Sequence, residues 1–473
     1  MSMIIPFQNS YAALPPKFYA RLAPDPVSAP TLLAFNKALA ADLGIIPDTD
    51  AVMAQVFAGN TLPDGAEPLA QAYAGHQFGG FSPQLGDGRA ILLGEVIDTH
   101  GNRRDIQLKG SGRTPFSRNG DGRAWLGPVL REYVLSEAMH ALGIPTTRAL
   151  AAVATGERIQ RERGLPGAIL TRVAASHVRV GTFQYFSARQ DYTSLRTLYE
   201  HARDRHYPDA QTPLEFLQQV IARQVDLVTR WLSIGFIHGV MNTDNTSISG
   251  ETIDYGPAAY MDTYHPVTVY SSIDRQGRYA YDNQANIIAW NMAQLASALV
   301  PLMPDSDEAV RDFTTAIHGM AGQVKSAWRQ AFGQKIGLSQ ATAEDEALIT
   351  SLLSTMSENQ ADFTNTFRAL ATDSAPRDQF TDPAAFDSWE PVWRARIAAE
   401  TDPYGLMQSV NPARIPRNHR VEQMIQAAEE GDMAPFQRLM ASLAHPFTDD
   451  ATFADLTHPP KPGEEVKQTF CGT

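Results

Sequence analysis

The sequence predicts an α+β fold with strands first and helices after, and three observations carry that reading. Strand-like apolar runs cluster between residues 89 and 173, a long amphipathic helix begins at Thr212, and from residue 284 onward the pattern is mostly helical. Elements segregated in this way argue against alternating βαβ units. The length of 473 residues suggests two or three packed units. With 43% hydrophobic and 19% charged residues, the chain has ample material for a core and is not of a disordered type.

Residues 1–70 carry scattered prolines and one short helical stretch near 31–43, and read as an extension wrapped on a core. Arg89–Ile97 and Arg104–Lys109 are predicted strands, joined through His100-Gly101-Asn102 as a hairpin. A Gly- and Arg-rich loop follows at 110–127. A helix is expected from Pro128 to Leu142, with Pro in its first turn and Gly143 past its end. Residues 149–173 are β-like, most clearly Gly167–Val173. Thr212-Pro213-Leu214-Glu215 has the capping-box pattern and opens a helix running to about Leu232. Its expected apolar face is Leu214, Leu217, Ile221, Val225, Val228 and Leu232. Two short β-like runs are expected around Ser249-Gly250-Glu251, and helix breaks at 301–307, 373–384 and 402–418.

The charge balance excludes some function classes. With 39 Lys plus Arg against 52 Asp plus Glu, the formal charge is −13, which argues against a generic nucleic-acid binder. No uninterrupted apolar run has the roughly 18 residues of a membrane span, and the N-terminus lacks signal-peptide character. The single cysteine, Cys471, excludes a disulfide scaffold and a Cys-based zinc site. The expectation is a soluble, cytoplasmic protein without nucleic-acid or membrane partners.

Lysine occurs only at 17, 37, 109, 325, 335, 461 and 467, and the other cations are arginine. Lys109 therefore stands alone between Lys37 and Lys325, a candidate for a role that needs a compact ammonium. It ends the strand after Gly86-Asp-Gly88-Arg89, where adjacent glycines allow close approach of backbone to phosphate. Glu132 and Glu137 on the next helix are its possible partners, but five residues apart only one can face the hairpin. Gly120-Asp121-Gly122-Arg123, with Arg113, Arg118, Arg172 and Arg179, adds arginines suited to a polyphosphate. Arg172 and Arg179 would share a face if their stretch were helical. His201 and His206 read as surface residues.

A second constellation is His238-Gly-Val-Met-Asn-Thr-Asp244-Asn245, then Asp254-Tyr-Gly256. Protein kinases carry His-Arg-Asp-x-x-x-x-Asn and later Asp-Phe-Gly, with the Asn and second Asp on Mg²⁺. The step from His238 to Asn245 is the same, but Val240 fills the slot of the catalytic Asp, and Asp244 is the nearest replacement base.

Together with Ala74-Gly-His-Gln-Phe-Gly-Gly80, Leu85–Ala90, Gln107–Ser117 and Lys17-Phe-Tyr19, these motifs resemble the selenoprotein O family of atypical kinase-fold proteins, most densely from about 72 to 290. The resemblance implies a protein-kinase-like two-lobed fold: an N-terminal extension (1–70), an N-lobe (71–170), a helical C-lobe (171–320) and a helical C-terminal extension with a tail (321–473). It implies transfer of AMP from ATP to Ser, Thr or Tyr hydroxyls of proteins, with the enzyme itself a further acceptor. Gly86, Gly88, Arg89, Lys109, Asp121, Gly122, Arg172, Arg179 and Asp254 would contact the nucleotide, and Glu132 would pair with Lys109. Asn245 and Asp254 would hold Mg²⁺ or Mn²⁺, and Asp244 would be the proton acceptor. The family's eukaryotic members place selenocysteine three residues from the end, where this chain has Cys471, and with no second cysteine the internal disulfide of some bacterial members is excluded. Phosphotransfer by the same site, and a nucleotide-binding pseudokinase scaffold suggested by Val240, are the alternatives.

Overall fold

Leu92 and Leu93 are adjacent on one strand and both fully buried, so the sheet that holds them has a core on each face. The computed structural model describes residues 3–372 and 374–470. Its strands are β1 (Tyr19–Arg21), β2 (Thr31–Phe35), β3 (Leu69–Gln71), β4 (Gly75–Gln77), β5 (Gly80–Ser82), β6 (Ala90–Ile97), β7 (Arg103–Lys109), β8 (Ala124–Trp125), β9 (Arg148–Gln160), β10 (Gly164–Ala174), β11 (Phe236–Ile237) and β12 (Ala259–Tyr260). The main sheet is antiparallel in the order β1-β3-β6-β7-β10-β9-β2, with β8 also on β10. The fold is mixed α+β.

The helices of the first half are α1 (Lys37–Asp42), α2 (Asp50–Phe57), α3 (Leu126–Ala141), α4 (Val180–Ser187), α5 (Tyr192–His206) and α6 (Pro213–Ser233). Leu93, Ile106, Leu108, Val153 and Ile169 face a core closed by Leu39 of α1 and by Val56 and Phe57 of α2. Leu92, Ala152 and Leu170 face the opposite core, which includes Leu130 and Val134 of α3. Two covered faces explain why these strands read as continuous apolar runs rather than alternating ones. Each fully buried leucine contributes about 1.5–3 kcal/mol through removal from water.

Several expectations change. Residues 31–35 form a strand and only 37–42 a helix, because Thr31–Phe35 pairs along β9 and tertiary pairing overrides local propensity. The helix expected over 128–142 spans Leu126–Ala141. At the start of α6 the Thr212 hydroxyl accepts from Glu215 N, but the Glu215 carboxylate reaches back to Gln211 N, one residue before the capping box requires. The β-like runs around Ser249-Gly250-Glu251 are not strands; isolated bridges join Ser247 to Arg179 and Thr252 to Thr146.

The second half holds α7 (Gln284–Leu299), α8 (Ser306–Lys335), α9 (Glu346–Glu358), α10 (Phe363–Leu370), α11 (Pro383–Ile397), α12 (Pro403–Val410), α13 (Asn418–Glu429) and α14 (Ala434–Leu443). The break expected at 402–418 thus contains the two-turn helix α12, and an unexpected break lies between α8 and α9. Residues Gln284–Leu302 are, among the described residues, the one segment long and apolar enough by composition to span a membrane; half of it is buried, and α7 packs on α4, α6 and α8. Thr469 pairs with Ser271, tying the end of the described chain to the segment after Asp254-Tyr255-Gly256. Cys471 lies outside the described residues.

Candidate functional site

The period-two geometry of β7 puts Gln107 and Lys109 on one sheet face, and the register sets Arg172 of β10 opposite Gln107. Arg172 Nη2 donates to Gln107 Oε1 at 2.7 Å, fixing the guanidinium across the strands. The same face meets α3, so of the two glutamates Glu132 faces the hairpin and accepts from Lys109 Nζ at 2.6 Å. Glu137 turns instead to Arg148, at 2.8 Å. Neither is a solvated helix charge: both are buried.

These groups border a cleft of about 830 Å³. Asp254 enters it from the facing loop with a left-handed backbone, φ 64°, uncommon for a non-glycine residue. Three cations hold its carboxylate: Lys109 Nζ at 2.7 Å and Arg172 Nη1 at 2.7 Å on Oδ1, and Arg179 Nη1 at 3.0 Å on Oδ2. Burial opposes its ionisation, but Lys109, Arg172 and Arg179 outweigh this and hold the carboxyl well below the usual range. Residues 172 and 179 do not share a helix. Arg172 is on a strand and Arg179 caps the start of α4, yet both reach Asp254.

Asp244 and Asn245 lie in a single 3₁₀ turn, Thr243–Asn245, at the cleft wall. Burial pushes the Asp244 carboxyl up to about 6, opposed by a hydrogen bond from Gln77 and by Arg179. Asn245 Nδ2 donates to the Val240 carbonyl at 2.9 Å, which orients the amide and leaves its oxygen as the possible ligand atom. His238 is fully buried and donates through Nε2 to the Ile253 carbonyl at 2.8 Å, holding the backbone just before Asp254. Among the described residues no group of three or more His, Cys, Asp or Glu side chains is arranged to hold a metal. Asn245 and Asp254 nevertheless offer hard oxygen donors, the small protein share suited to Mg²⁺, which takes its remaining ligands from phosphates and water.

Gly86, Gly88, Arg89, Asp121 and Gly122 all line the same cleft. Gly86, at φ 114°, leaves no room for a side chain, since an added Cβ would lie 2.4 Å from the Phe116 ring. Gly122, at φ 70°, would place a Cβ 2.0 Å from the Gly112 carbonyl oxygen. Gly86 thus lets the 110–127 loop pack against the 85–89 turn, and Gly122 lets that loop close on itself. Asp121 pairs with Arg161 at 2.7 Å, which fixes that loop from β9–β10.

The structure adds residues that the sequence did not single out. Asp87, between the two glycines, is buried and accepts from Gln71 N and Gln107 Nε2, and Arg179 Nη2 lies 3.8 Å away. Tyr73 lies under the Arg179 guanidinium, 4.6 Å from ring centroid to Cζ. The position of Asp87 in Gly-Asp-Gly-Arg was the available signal; Gln107 had none beyond opening a motif segment, and Tyr73, one residue before the Ala74–Gly80 motif, had none. His206 is not a surface residue: it is buried and bonded to Ser176 Oγ at 2.7 Å.

The family model for protein adenylyltransferase SelO matches residues 2–444. Proteins named protein nucleotidyltransferase YdiU match over their whole length and all of this chain. They are 62% identical in Ruegeria sp. (strain TM1040), 61% in Ruegeria pomeroyi and 60% in Roseobacter denitrificans.

Proposed function

The chain belongs to the protein adenylyltransferase SelO family, and we propose that its 830 Å³ cleft binds ATP with a divalent cation and transfers AMP to Ser, Thr or Tyr hydroxyls of proteins, itself included. The fold is read as protein-kinase-like: the sheet with α3 is one lobe, and α4 to α8 with the Asp244 and Asp254 loops form the other. The observation that carries the reading is the convergence of Lys109, Arg172 and Arg179 on Asp254, beside Asp244 and Asn245.

Gly86, Gly88, Arg89, Lys109, Asp121, Gly122, Arg172 and Arg179 surround the nucleotide, and Glu132 keeps Lys109 in place. Asn245 and Asp254 would hold Mg²⁺ or Mn²⁺. When bound, that cation neutralises phosphate charge and orients the leaving group. Arg172 and Arg179 are held rigidly by Gln107, Asp87 and the Asp244 carbonyl, so their charge requires little reorganisation as negative charge builds on the leaving pyrophosphate. With the far end of the triphosphate gripped there, the α-phosphorus faces the acceptor. Asp244 takes the proton of the attacking hydroxyl, the new oxygen–phosphorus bond forms at the α-phosphorus, and the bond to pyrophosphate breaks. Val240 in the usual base slot cannot serve, which leaves that task to Asp244.

The direct test is product analysis with Mg²⁺ or Mn²⁺ and ATP. Adenylyl transfer gives pyrophosphate and an AMP adduct on protein hydroxyls by mass spectrometry. ADP with a phosphate adduct would assign phosphotransfer, and nucleotide binding without either product would assign a scaffold.

A further inference from the structure

The hairpin β4–β5, Gly75–Ser82, lies against the loop that carries Asp244 and bonds three successive residues of it. Phe78 N donates to Asn242 Oδ1 at 3.1 Å, His76 N to Thr243 Oγ1 at 2.7 Å, and Gln77 Nε2 to Asp244 Oδ2 at 2.8 Å. The contact is close: a Cβ on Gly75 would lie 2.6 Å from Asp244 Oδ1. Thr243 Oγ1 in turn donates to Gln184 Oε1 at 2.7 Å, and Gln184 Nε2 is 2.9 Å from His76 Nδ1, so hairpin, loop and α4 close a ring of bonds. Phe78 is held at φ 52° by bonds from its N–H to Asn242 and Tyr279, a conformation costly for an aromatic residue. Among the described residues Asp244 Oδ1 is buried with no hydrogen-bond partner, and Gln77 makes the one side-chain hydrogen bond to this carboxylate. With Gln77 lost, no other side chain among the described residues donates to this carboxylate to fix its orientation.

We propose that Gln77 is a positioning residue that fixes the Asp244 carboxylate for proton removal, with β4–β5 as its rigid mount. The proposal rests on Asp244 being the base. A charge-assisted bond of this kind fixes orientation strongly, so its loss is expected to lower kcat about 10- to 100-fold. ATP affinity should stay within twofold, because Gln77 bonds the base and touches none of the phosphate-gripping cations on Asp254 through a hydrogen bond.

The test is a double-mutant cycle with Gln77→Leu and Asp244→Ala, reading incorporation of α-labelled ATP into the enzyme plus added casein, with ATP affinity and thermal midpoint measured alongside. The expected result is a kcat loss in Gln77→Leu at unchanged ATP affinity, and no further loss when Gln77→Leu is added to Asp244→Ala. Additive losses would overturn the proposal, as would near-wild-type kcat in Gln77→Leu while Asp244→Ala collapses. Full labelling by Asp244→Ala would overturn the base assignment itself. Should Gln77→Leu misfold, Gln77→Met, of similar length and with no N–H donor, is read the same way.

Discussion

Two lysines, Lys109 half-buried and Lys335 fully buried, show two ways in which the molecule treats charge. Lys109, in the cleft, is bracketed by Glu132 at 2.6 Å and Asp254 at 2.7 Å. Lys335 ends α8 in the helical half, 2% exposed, with Asn411 Oδ1 at 2.8 Å and the Phe367 ring centroid at 4.1 Å. Among the described residues no carboxylate pairs with it, and burial pulls its ammonium down to about 7. The cleft keeps its charges by pairing them, so an incoming polyphosphate meets preorganised cations. At Lys335 the charge instead weakens and the long side chain serves as packing, whereas Arg417 in the same half keeps its charge by pairing with Asp262 and Asp362.

The strongest way to break this contrast is Asp254→Ala. It removes the proposed metal ligand and leaves Arg172 and Arg179, both nearly fully buried, without their shared carboxylate. We expect AMP transfer to fall by about three orders of magnitude. We also expect a stability loss of about 3–5 kcal/mol, read from denaturant unfolding. Lys109→Arg should come next, losing about 100-fold in kcat/KM for ATP, because a planar fork cannot occupy the point between Glu132 and Asp254. Activity within threefold of wild type would show that a compact ammonium is not needed. Asn245→Ala should be milder, about tenfold, and should raise the metal concentration needed for half-maximal rate, since a neutral amide contributes less than a carboxylate.

Lys335 supplies the contrasting prediction. Its folded value lies below its unfolded one, so between about pH 7 and 10 the unfolded chain binds more protons and stability rises with pH. The contribution is up to about 1.4 kcal/mol per pH unit over that window. Lys335→Met should abolish this rise in unfolding free energy while leaving AMP transfer within twofold. The smallest effect is expected of Cys471→Ser, which under reducing conditions should leave transfer unchanged and after mild oxidant should abolish any disulfide-linked dimer or thiol adduct.

Sequence reading reached what is local. The β6–β7 hairpin, the helix with Glu132, and the Asp244–Asn245 and Asp254 loops each sit in a short stretch whose turn and capping chemistry is written in neighbouring residues. Long-range pairing was not legible. Nothing in Thr31–Phe35 says that it pairs with β9, and nothing in Gln77 says that it meets a carboxylate 167 positions away. Arg172 and Arg179 stand out through composition and family resemblance, and the helical face they would share if their stretch were helical does not form. What unites them is Asp254, which the sequence places 82 and 75 positions distant. Lys335 shared with Lys109 its rarity of type, and only burial separates their roles.

The central claim is that the cations gathered on Asp254 grip the far end of the triphosphate and turn the α-phosphorus toward the acceptor. Parallel incubations of the wild-type enzyme with α-labelled and γ-labelled ATP, with Asp254→Ala as control, test it most directly. The account predicts label on protein from the α position alone, absent in Asp254→Ala. Label from the γ position at a rate equal to or above the α signal would contradict it.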